Sequence, residues 1–510
     1  MTCVFYFFFS VKVVFCLAGS IAFRKAVKGT AVIASGGLVA FYGPTLVELV
    51  NVAFLDELPS RQAQLTALHN TQEFDVLIVG GGATCSDCAL DAVTRNKLPF
   101  AVFRDDFSSG TSSRSTKLIH GGVRYLQKAI VKLDCEQVKM VYFPFNCTFS
   151  TVCERWWQLP YHWAGIKMYD LVAGLFPVLK RDKLLGAIVY SDGQHDDAPM
   201  NLPIALTAAR YRAAIANYTE VVHLLKRADP QMGTERVCGV RCRDVITGQE
   251  FDVRAKCVIN ATGPFTDALR KMDDQKNPNI YQPSAGVHIV IPGYYSPDNM
   301  GLLDPATSAG RVIFFLQWEK ITVGRTTDST SAPMSKMLFI MHRSHFAPAL
   351  QMLRRGDGLA AWSGIFPLVT DPNSKDTQSI CRNHKLHNHI VHISDSGLVN
   401  MAGGNWTTYR SMVEETLDAA VKAHNLSAGP SKTAGLMLEG AKDWSPTMYS
   451  RLVQDYGMKV EASTYGGRAY EVAEMAHVTG KGWPFVRKHL VSKFPYIEIE
   501  VCIYIISRVA

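Results

Sequence analysis

The chain has 510 residues, of which 47% are hydrophobic and 19% are charged. These values predict roughly two to three domains with a sizeable core, and they exclude a disordered, collagen-like or coiled-coil protein. The 53 Lys and Arg residues against 45 Asp and Glu residues give a net charge of +8 without a basic run, so nucleic acid is not an expected partner. Twelve cysteines are too sparse for a disulfide scaffold.

The N-terminal segment differs from the remainder of the chain. Residues 3–23 are apolar and aromatic apart from Lys12 and a few small residues, and a second weakly polar stretch covers residues 31–54. About 20 apolar residues are enough for a membrane-spanning helix. We therefore predict that residues 1–72 contain a targeting or membrane-anchor segment and a linker. The alternative is that residues 1–22 form a buried or cleaved leader.

A strand, a glycine triplet, a helix and a second strand are predicted next. Residues 74–79 form the apolar run typical of a strand buried on both faces, and glycines 80–82 follow directly. A helix is predicted over residues 86–95 and a second strand over residues 100–103. This order predicts a dinucleotide-binding turn, in which backbone N–H groups and the N-terminus of a helix hold a diphosphate.

Two positions depart from the dinucleotide-binding fingerprint. Cys85 stands where a third glycine would let the helix pack closely on the strand. Phe103 stands where a carboxylate is expected to accept the ribose hydroxyls, and Asp105 and Asp106 follow it. Losing one charge-assisted contact of this kind costs on the order of 1.5–3 kcal/mol.

Cys85 and Cys88 also form a Cys-x-x-Cys pattern at the start of the predicted helix. A redox-active dithiol is therefore an alternative interpretation, because a helix N-terminus stabilises thiolates. The preceding glycine triplet favours the phosphate cradle, since a dithiol has no use for it.

Residues 104–127 are dense in small hydroxyls, glycine and basic side chains. Hydroxyls and amides interleaved with Arg114, Lys117 and Arg124 suit a doubly anionic cofactor and an anionic substrate. An ordinary Ser-rich surface loop is the alternative. The stretch resembles the flavin-dependent glycerol-3-phosphate dehydrogenases, the mitochondrial form in particular, and the likeness runs from about residue 24 to about residue 496.

The resemblance implies an α/β fold, α+β overall. It implies a Rossmann-like FAD-binding domain, an antiparallel-sheet substrate domain and a partial helical C-terminal cap. We expect residues 73–424 to form the FAD-dependent oxidoreductase core and residues 425–510 a truncated helical domain. Within the core, the FAD-binding parts are expected at about 73–127, 186–268 and 395–424, and the substrate parts at about 128–185 and 269–394.

The resemblance also implies an activity and its partners. The expected reaction is oxidation of sn-glycerol 3-phosphate to dihydroxyacetone phosphate, with electrons passed to a quinone at the mitochondrial inner membrane. No D-x-D-x-D-G loop occurs in the sequence, so calcium is not an expected partner. Cys238 and Cys242 lack neighbouring histidines, so no metal site is predicted.

Two further predicted strands end in small-residue turns, at residues 257–264 and 397–404, and a helix through Ala419 follows the second. Three such turns fit FAD better than NAD, because each brings backbone close to a long dinucleotide. The expected cofactor-binding residues are Gly80, Gly81, Gly82, Ala83, Thr84, Phe103, Ser109, Thr111, Ser112, Ser115, Lys117, Gly121, Gly122, Ala261, Thr262, Gly263, Gly403, Gly404, Thr407 and Thr408.

Oxidation of a secondary alcohol needs a hydride acceptor, a base for the hydroxyl proton and cations for the phosphate. The resemblance makes His288 and Arg124 the expected catalytic residues, as acid/base and as substrate-side cation. A hydrogen-bonded core histidine is the alternative for His288. The expected substrate-binding residues are Arg124, Tyr125, Phe366 and Asn405.

Phe366 and Asn405 stand where the resemblance implies Arg and Lys. Each lost charged contact costs about 2–5 kcal/mol of transition-state binding. Three hypotheses therefore remain open from the sequence. They are an active glycerol-3-phosphate dehydrogenase, a catalytically impaired flavin-binding relative, and an oxidase of another small hydroxy or amino acid.

Overall fold

The computed structural model describes two sheets and the helices that cover them. The expected N-terminal anchor lies outside the described residues except for positions 58–72, and no helix in the described part is long and apolar enough to cross a membrane. The described residues are 58–97, 99–119, 147–153, 186–228, 233, 235–296, 300–304, 313–318, 320–326, 357–369, 389–441, 444–445, 447–456, 466–470 and 473.

The helices and strands have the following bounds. The helices are α1 (Arg61–Asn70), α2 (Ala83–Thr94), α3 (Asp197–Arg210), α4 (Thr266–Asp273), α5 (Tyr409–Ala423) and α6 (Met448–Tyr456). The strands are β1 (Phe74–Val79), β2 (Pro99–Val102), β3 (Leu118–Ile119), β4 (Cys147–Cys153), β5 (Gly186–Gln194), β6 (Ala214–Ala216), β7 (Thr219–Ala228), β8 (Glu235–Asp244), β9 (Glu250–Asn260), β10 (Tyr281–Pro292), β11 (Met300–Asp304), β12 (Ile313–Trp318), β13 (Ile321–Thr326), β14 (Ala360–Val369), β15 (His389–Ile393) and β16 (Val399–Gly403).

The first sheet has the order β15-β16-β9-β1-β2-β6, and β7 and β8 extend it from β9. Strand β1 lies between β9 and β2 and is parallel to both, and β16 is parallel to β9. Parallel strands end at the same edge of a sheet, so the turns after β1, β9 and β16 come together. The fold class predicted from the sequence is confirmed.

Helix α2 covers the first sheet directly behind the glycine-rich turn. It begins at Ala83, three residues before the predicted start, because Gly82 has an extended backbone and forms its N-cap. The predicted inner face of Cys88, Ala89, Ala92 and Val93 is buried. Helices α3 and α5 pack against α2, which explains why its other side chains are also buried.

The second sheet has the order β14-β10-β13-β12-β11-β4-β5-β3. Its strands pair antiparallel except β11 with β4. In this sheet β10 carries His288 between Arg325 of β13 and Trp362 of β14. The sheet therefore matches the antiparallel architecture expected for the substrate domain.

Strand pairing differs from the expected domain parts in three places. Strands β3 and β5, which we assigned to FAD-binding parts, pair with each other, and β5 joins β4 in the second sheet. Strand β15, which we assigned to a substrate part, pairs with β16 in the first sheet. Hydrogen bonding between strands, and not position along the chain, decides which sheet a segment joins.

Candidate active site

A cavity of about 360 Å³ lies where the turns after β1, β9 and β16 meet. It extends from the glycine-rich turn to β10 and β14 of the second sheet. The structure brings most of the predicted site residues to its wall. They are Gly80, Gly81, Gly82, Ala83, Thr84, Phe103, Ser109, Thr111, Ser112, Ser115, Ala261, Thr262, Gly263, His288, Gly403, Gly404 and Asn405.

The turn after β1 is tight because Gly80 lies directly against the end of β9. Gly80 has φ of +143°, and its N–H donates to the carbonyl of Val102 at 2.8 Å. A Cβ on Gly80 would lie 2.3 Å from the carbonyl oxygen of Ala261. Only glycine fits this position, because a side chain would clash with backbone and prefers a different φ.

The N-terminus of α2 forms one wall of the cavity. Ala83 N–H donates to Ser112 Oγ at 3.0 Å, which ties the Ser-rich segment to the helix start. The first backbone N–H groups of a helix and its dipole give this end partial positive charge. Together with the neighbouring turns of β9 and β16, this wall fits the diphosphate of a dinucleotide such as FAD.

Phe103 occupies the position where a ribose-binding acid was expected. Its ring is 7% exposed and packs edge-on against Phe107, with ring centroids 4.8 Å apart. The carboxylates on the cavity wall, among the residues that the structure describes, belong to Asp105 and Glu220. The apolar ring of Phe103 cannot accept a hydrogen bond from a ribose hydroxyl. Asp105 and Glu220 are the carboxylates on the described wall that can do so.

His288 also lines the cavity and lies on β10 of the second sheet. Its side chain is 2% exposed and stacks on Trp362, with ring centroids 5.2 Å apart and an interplanar angle of 8°. The stacked indole fixes the plane of the imidazole. The ring therefore has the fixed orientation that an acid/base needs.

Asn405 lies on the cavity wall and also bonds to Thr408, the N-cap residue of α5. Its Oδ1 accepts hydrogen bonds from the N–H and the Oγ1 of Thr408, both at 3.1 Å. These contacts hold the side-chain oxygen against the start of the helix. They also explain why Thr408, an expected cofactor ligand, is buried at 2% exposure and is not on the cavity wall.

Lys117 and Thr407 are likewise not on the cavity wall. The Lys117 ammonium bonds to Asp196 and Asp197 at 2.7 Å each and lies 5.2 Å from the centroid of the Trp318 ring. Burial lowers the pKa of Lys117, but the two carboxylates more than compensate and raise it above the ordinary value. The structure thus places Lys117 in an ion-pair cluster at the start of α3, in contrast to the expected contact with the cofactor.

The structure does not describe the side chains of five further predicted site residues. Gly121, Gly122, Arg124 and Tyr125 fall outside the described residues. The backbone of Phe366 is described on β14, opposite Ser284 of β10, whereas its side chain lies outside the description.

The Cys-x-x-Cys pattern does not form a redox-active dithiol. Cys85 and Cys88 are free thiols, 1% and 0% exposed, in the core beneath the glycine turn. Burial raises the pKa of both thiols, so neither is a thiolate at neutral pH. Among the described residues, no group of three or more His, Cys, Asp or Glu side chains could hold a metal ion.

Sequence reasoning missed several residues of the cavity wall. Trp406 is 7% exposed and donates from Nε1 to the carbonyl of Ser112 at 3.2 Å, and Tyr409 packs edge-on against its ring at 5.3 Å. The signal for both was their place directly after the glycine turn of β16. Glu220 was missed as well, whereas Arg114, which also lines the cavity, was expected from its place among the hydroxyls of residues 104–127. No local motif marks Glu220, because it lies on β7, far along the chain from the first turn.

The fold and the cavity define a class of protein. Residues 75–410 match the family model described as FAD dependent oxidoreductase. The cofactor of this family is FAD, in agreement with the fit of the cavity wall.

Known proteins narrow the class further. The curated protein "Glycerol-3-phosphate dehydrogenase, mitochondrial" of Bos taurus is 58% identical over 94% of this chain and 74% of its own length, and the Mus musculus protein of that name gives the same values. A solved glycerol-3-phosphate dehydrogenase from Bacillus halodurans, complexed with FAD, has 27% identity and a TM-score of 0.63 and covers 83% of this chain and 82% of its own. The chain belongs to the family of FAD-dependent glycerol-3-phosphate dehydrogenases.

Proposed function

We propose that the chain oxidises sn-glycerol 3-phosphate to dihydroxyacetone phosphate with FAD as the bound cofactor. The observation that carries the proposal is 58% identity over 94% of the chain to enzymes named for this activity. The cavity supports it, since the glycine turn after β1 and His288 on β10 line one continuous wall.

Different residues of the chain bind the cofactor and transfer the proton. The turn containing Gly80 and Gly81 and the start of α2 hold the diphosphate. When bound, FAD supplies the acceptor for the hydride that leaves the alcohol carbon. His288 takes the proton of the hydroxyl group, and the ring of Trp362 keeps the imidazole in position, 5.2 Å between centroids.

Substrate binding is proposed to depend on Arg124, Tyr125 and Asn405. Phe366 and Asn405 replace the cations that the resemblance implies, so we expect weaker binding of the phosphate than in the relatives. The amide of Asn405 keeps a donor at the wall of the cavity, while its oxygen is held by Thr408.

The electron acceptor and the location are part of the same proposal. We infer a quinone as acceptor and the mitochondrial inner membrane as the site of action. The relatives are named as mitochondrial proteins, which supports the mitochondrion. The apolar residues 3–23 support attachment to a membrane.

The test is an absorbance spectrum of the purified full-length protein without oxygen, before and after sn-glycerol 3-phosphate is added. The expected result is a flavin spectrum that the substrate bleaches, and a His288→Gln variant that keeps the flavin but bleaches about 10²- to 10⁴-fold more slowly. Flavin that is never bleached would contradict the proposal and favour the impaired relative. Bleaching by another hydroxy acid alone would contradict the proposed substrate.

A further inference from the structure

The replacement of the expected ribose-binding acid by Phe103 leaves a specific gap in FAD recognition. A Cβ on Gly81 would lie 2.5 Å from Cδ2 of Phe103, so the aromatic ring lies directly on the turn that holds the diphosphate. The ring is 7% exposed and is supported from behind by Phe107. Phe103 is therefore a fixed part of the wall, and another residue has to accept the ribose hydroxyls if they are to be paired.

Backbone hydrogen bonds bring the start of β7 alongside this segment. The N–H of Thr219 donates to the carbonyl of Phe103 at 2.9 Å, and the N–H of Tyr218 donates to the carbonyl of Asp105 at 3.0 Å. Glu220 is the next residue of β7 and contacts Arg104, with 3.6 Å between Oε1 and Nε. Glu220 thus lines the same cavity as Phe103 and contacts the residue that follows Phe103 in the chain.

The Glu220 carboxylate is held in place and still has capacity to accept hydrogen bonds. Its Oε2 pairs with Arg243 at 2.5 Å, and its side chain is 23% exposed. Two carboxylate oxygens offer about four acceptor positions, so two arginine contacts leave room for two hydroxyl donors. Asp105, the other acid on the described part of the wall, is exposed. An exposed carboxylate loses more side-chain freedom and hydration when it binds a ligand.

We propose that Glu220 accepts the hydrogen bonds of the ribose hydroxyls in the adenosine half of FAD. The inference rests on FAD binding, the cofactor part of the proposed function, and does not depend on the identity of the substrate. Arg104 and Arg243 act as positioning residues that orient the carboxylate.

The experiment is a titration of FAD-free, full-length protein with FAD and with an FAD analogue whose adenosine ribose is 2′-deoxy, followed by quenching of flavin fluorescence. We expect Glu220→Gln to weaken binding of FAD about 10- to 150-fold. The variant should weaken binding of the deoxy analogue much less, because one of the hydrogen bonds is absent already. Wild-type protein should prefer FAD to the analogue.

Asp252→Asn is the matched control variant. Asp252 pairs with Arg241 at 2.7 Å on the neighbouring strands β8 and β9, as Glu220 pairs with Arg243, but it is exposed and does not line the cavity. Its FAD affinity should equal that of wild type. Asp105→Asn should likewise change FAD affinity by less than about threefold.

Three results with the variants would overturn the assignment of Glu220. They are an unchanged FAD affinity in Glu220→Gln, an equal loss for FAD and the deoxy analogue, and a loss that follows Asp105→Asn instead. Equal affinity of wild-type protein for the two ligands would also overturn it, and this arm needs no variant. Wild-type protein that takes up no FAD would contradict the proposed function itself, which separates the two failures.

Discussion

Gly80 and Ala261 hold the ends of β1 and β9 together at the entrance to the cofactor cavity. The backbone of Gly80 comes so close that an added Cβ would lie 2.3 Å from the carbonyl oxygen of Ala261. The N–H of Ala261 in turn donates to the carbonyl of Val79 at 2.8 Å. The first and second glycine-containing turns are therefore one structural unit, and a change in one displaces the other.

We predict that Gly80→Ala destabilises the fold and abolishes FAD binding. The added methyl group forces the turn away from Ala261 and requires alanine to adopt φ near +143°. The expected loss in free energy of unfolding is about 2–5 kcal/mol. Urea unfolding of the FAD-free protein and a flavin spectrum of the purified variant measure the two effects.

Gly429→Ala is the control for this prediction. A Cβ on Gly429 would meet no described atom within 4 Å, and the residue lies away from the cavity wall. Its free energy of unfolding should be within about 0.5 kcal/mol of the wild-type value. If both alanine variants behaved alike, the close approach of Gly80 to Ala261 would not be what requires glycine.

The local parts of the fold could be predicted from the sequence. The run 74–79 is apolar apart from Asp75 because β1 is buried on both faces, and the structure has the predicted bounds of this strand. Glycine marks the turn after it because the backbone approach excludes any side chain. The sheet that β3 and β5 join could not be predicted, because nothing local in a strand specifies its partner.

In the candidate site as well, positions that a local motif determines could be predicted, whereas positions that distant partners determine could not. Residues of the glycine turns, which we expect to bind the cofactor, line the cavity because a motif fixes both their conformation and their place. Lys117 and Thr408, also expected as cofactor ligands, are not on the described cavity wall, because Asp197 and Asn405 hold their side chains. Glu220 was missed for the converse reason, since only the pairing of β7 with the segment after β2 brings it to the wall.

Restoring the two cations implied by the resemblance should increase activity. We predict that Phe366→Arg with Asn405→Lys raises kcat/KM for sn-glycerol 3-phosphate at least roughly 30-fold, because a charged contact to the phosphate contributes about 2–5 kcal/mol. The Asn405 change also removes the hydrogen bonds from Thr408, the N-cap residue of α5, and should cost about 1 kcal/mol of stability. Steady-state rates with an artificial electron acceptor and urea unfolding measure both.

Two comparisons test whether the gain in activity depends on the phosphate of the substrate. Glycerol lacks the phosphate, so the double variant should gain little with glycerol as substrate. Asn405→Asp keeps an oxygen that accepts hydrogen bonds from Thr408 but adds negative charge at the cavity wall, so its activity should fall below wild type. An equal gain with glycerol would show that the two positions do not recognise the phosphate.

The last prediction concerns Asp87, a buried carboxylate in α2, the helix that packs against α5. Its side chain is 3% exposed, and its Oδ2 has no hydrogen-bond partner within the described part of the chain. Burial first, and then the negative charges of Asp91 and Glu414, raise its pKa to about 7, against the opposing effect of Arg410. In the unfolded chain the pKa returns to about 4.

Between these two pKa values the folded protein binds more protons at Asp87 than the unfolded chain does. The free energy of unfolding should therefore fall as the pH rises from about 4 to about 7, by up to roughly 4 kcal/mol, and this contribution should change little above pH 8. Asp87→Asn cannot ionise, so its stability should lack this decrease and exceed that of wild type at pH 8. Urea unfolding at pH 5, 6, 7 and 8 gives both curves, with the exposed Asp455→Asn as the control. Parallel curves for Asp87→Asn and wild type would contradict this prediction. They would show that the pKa of Asp87 is the same in the folded protein as in the unfolded chain.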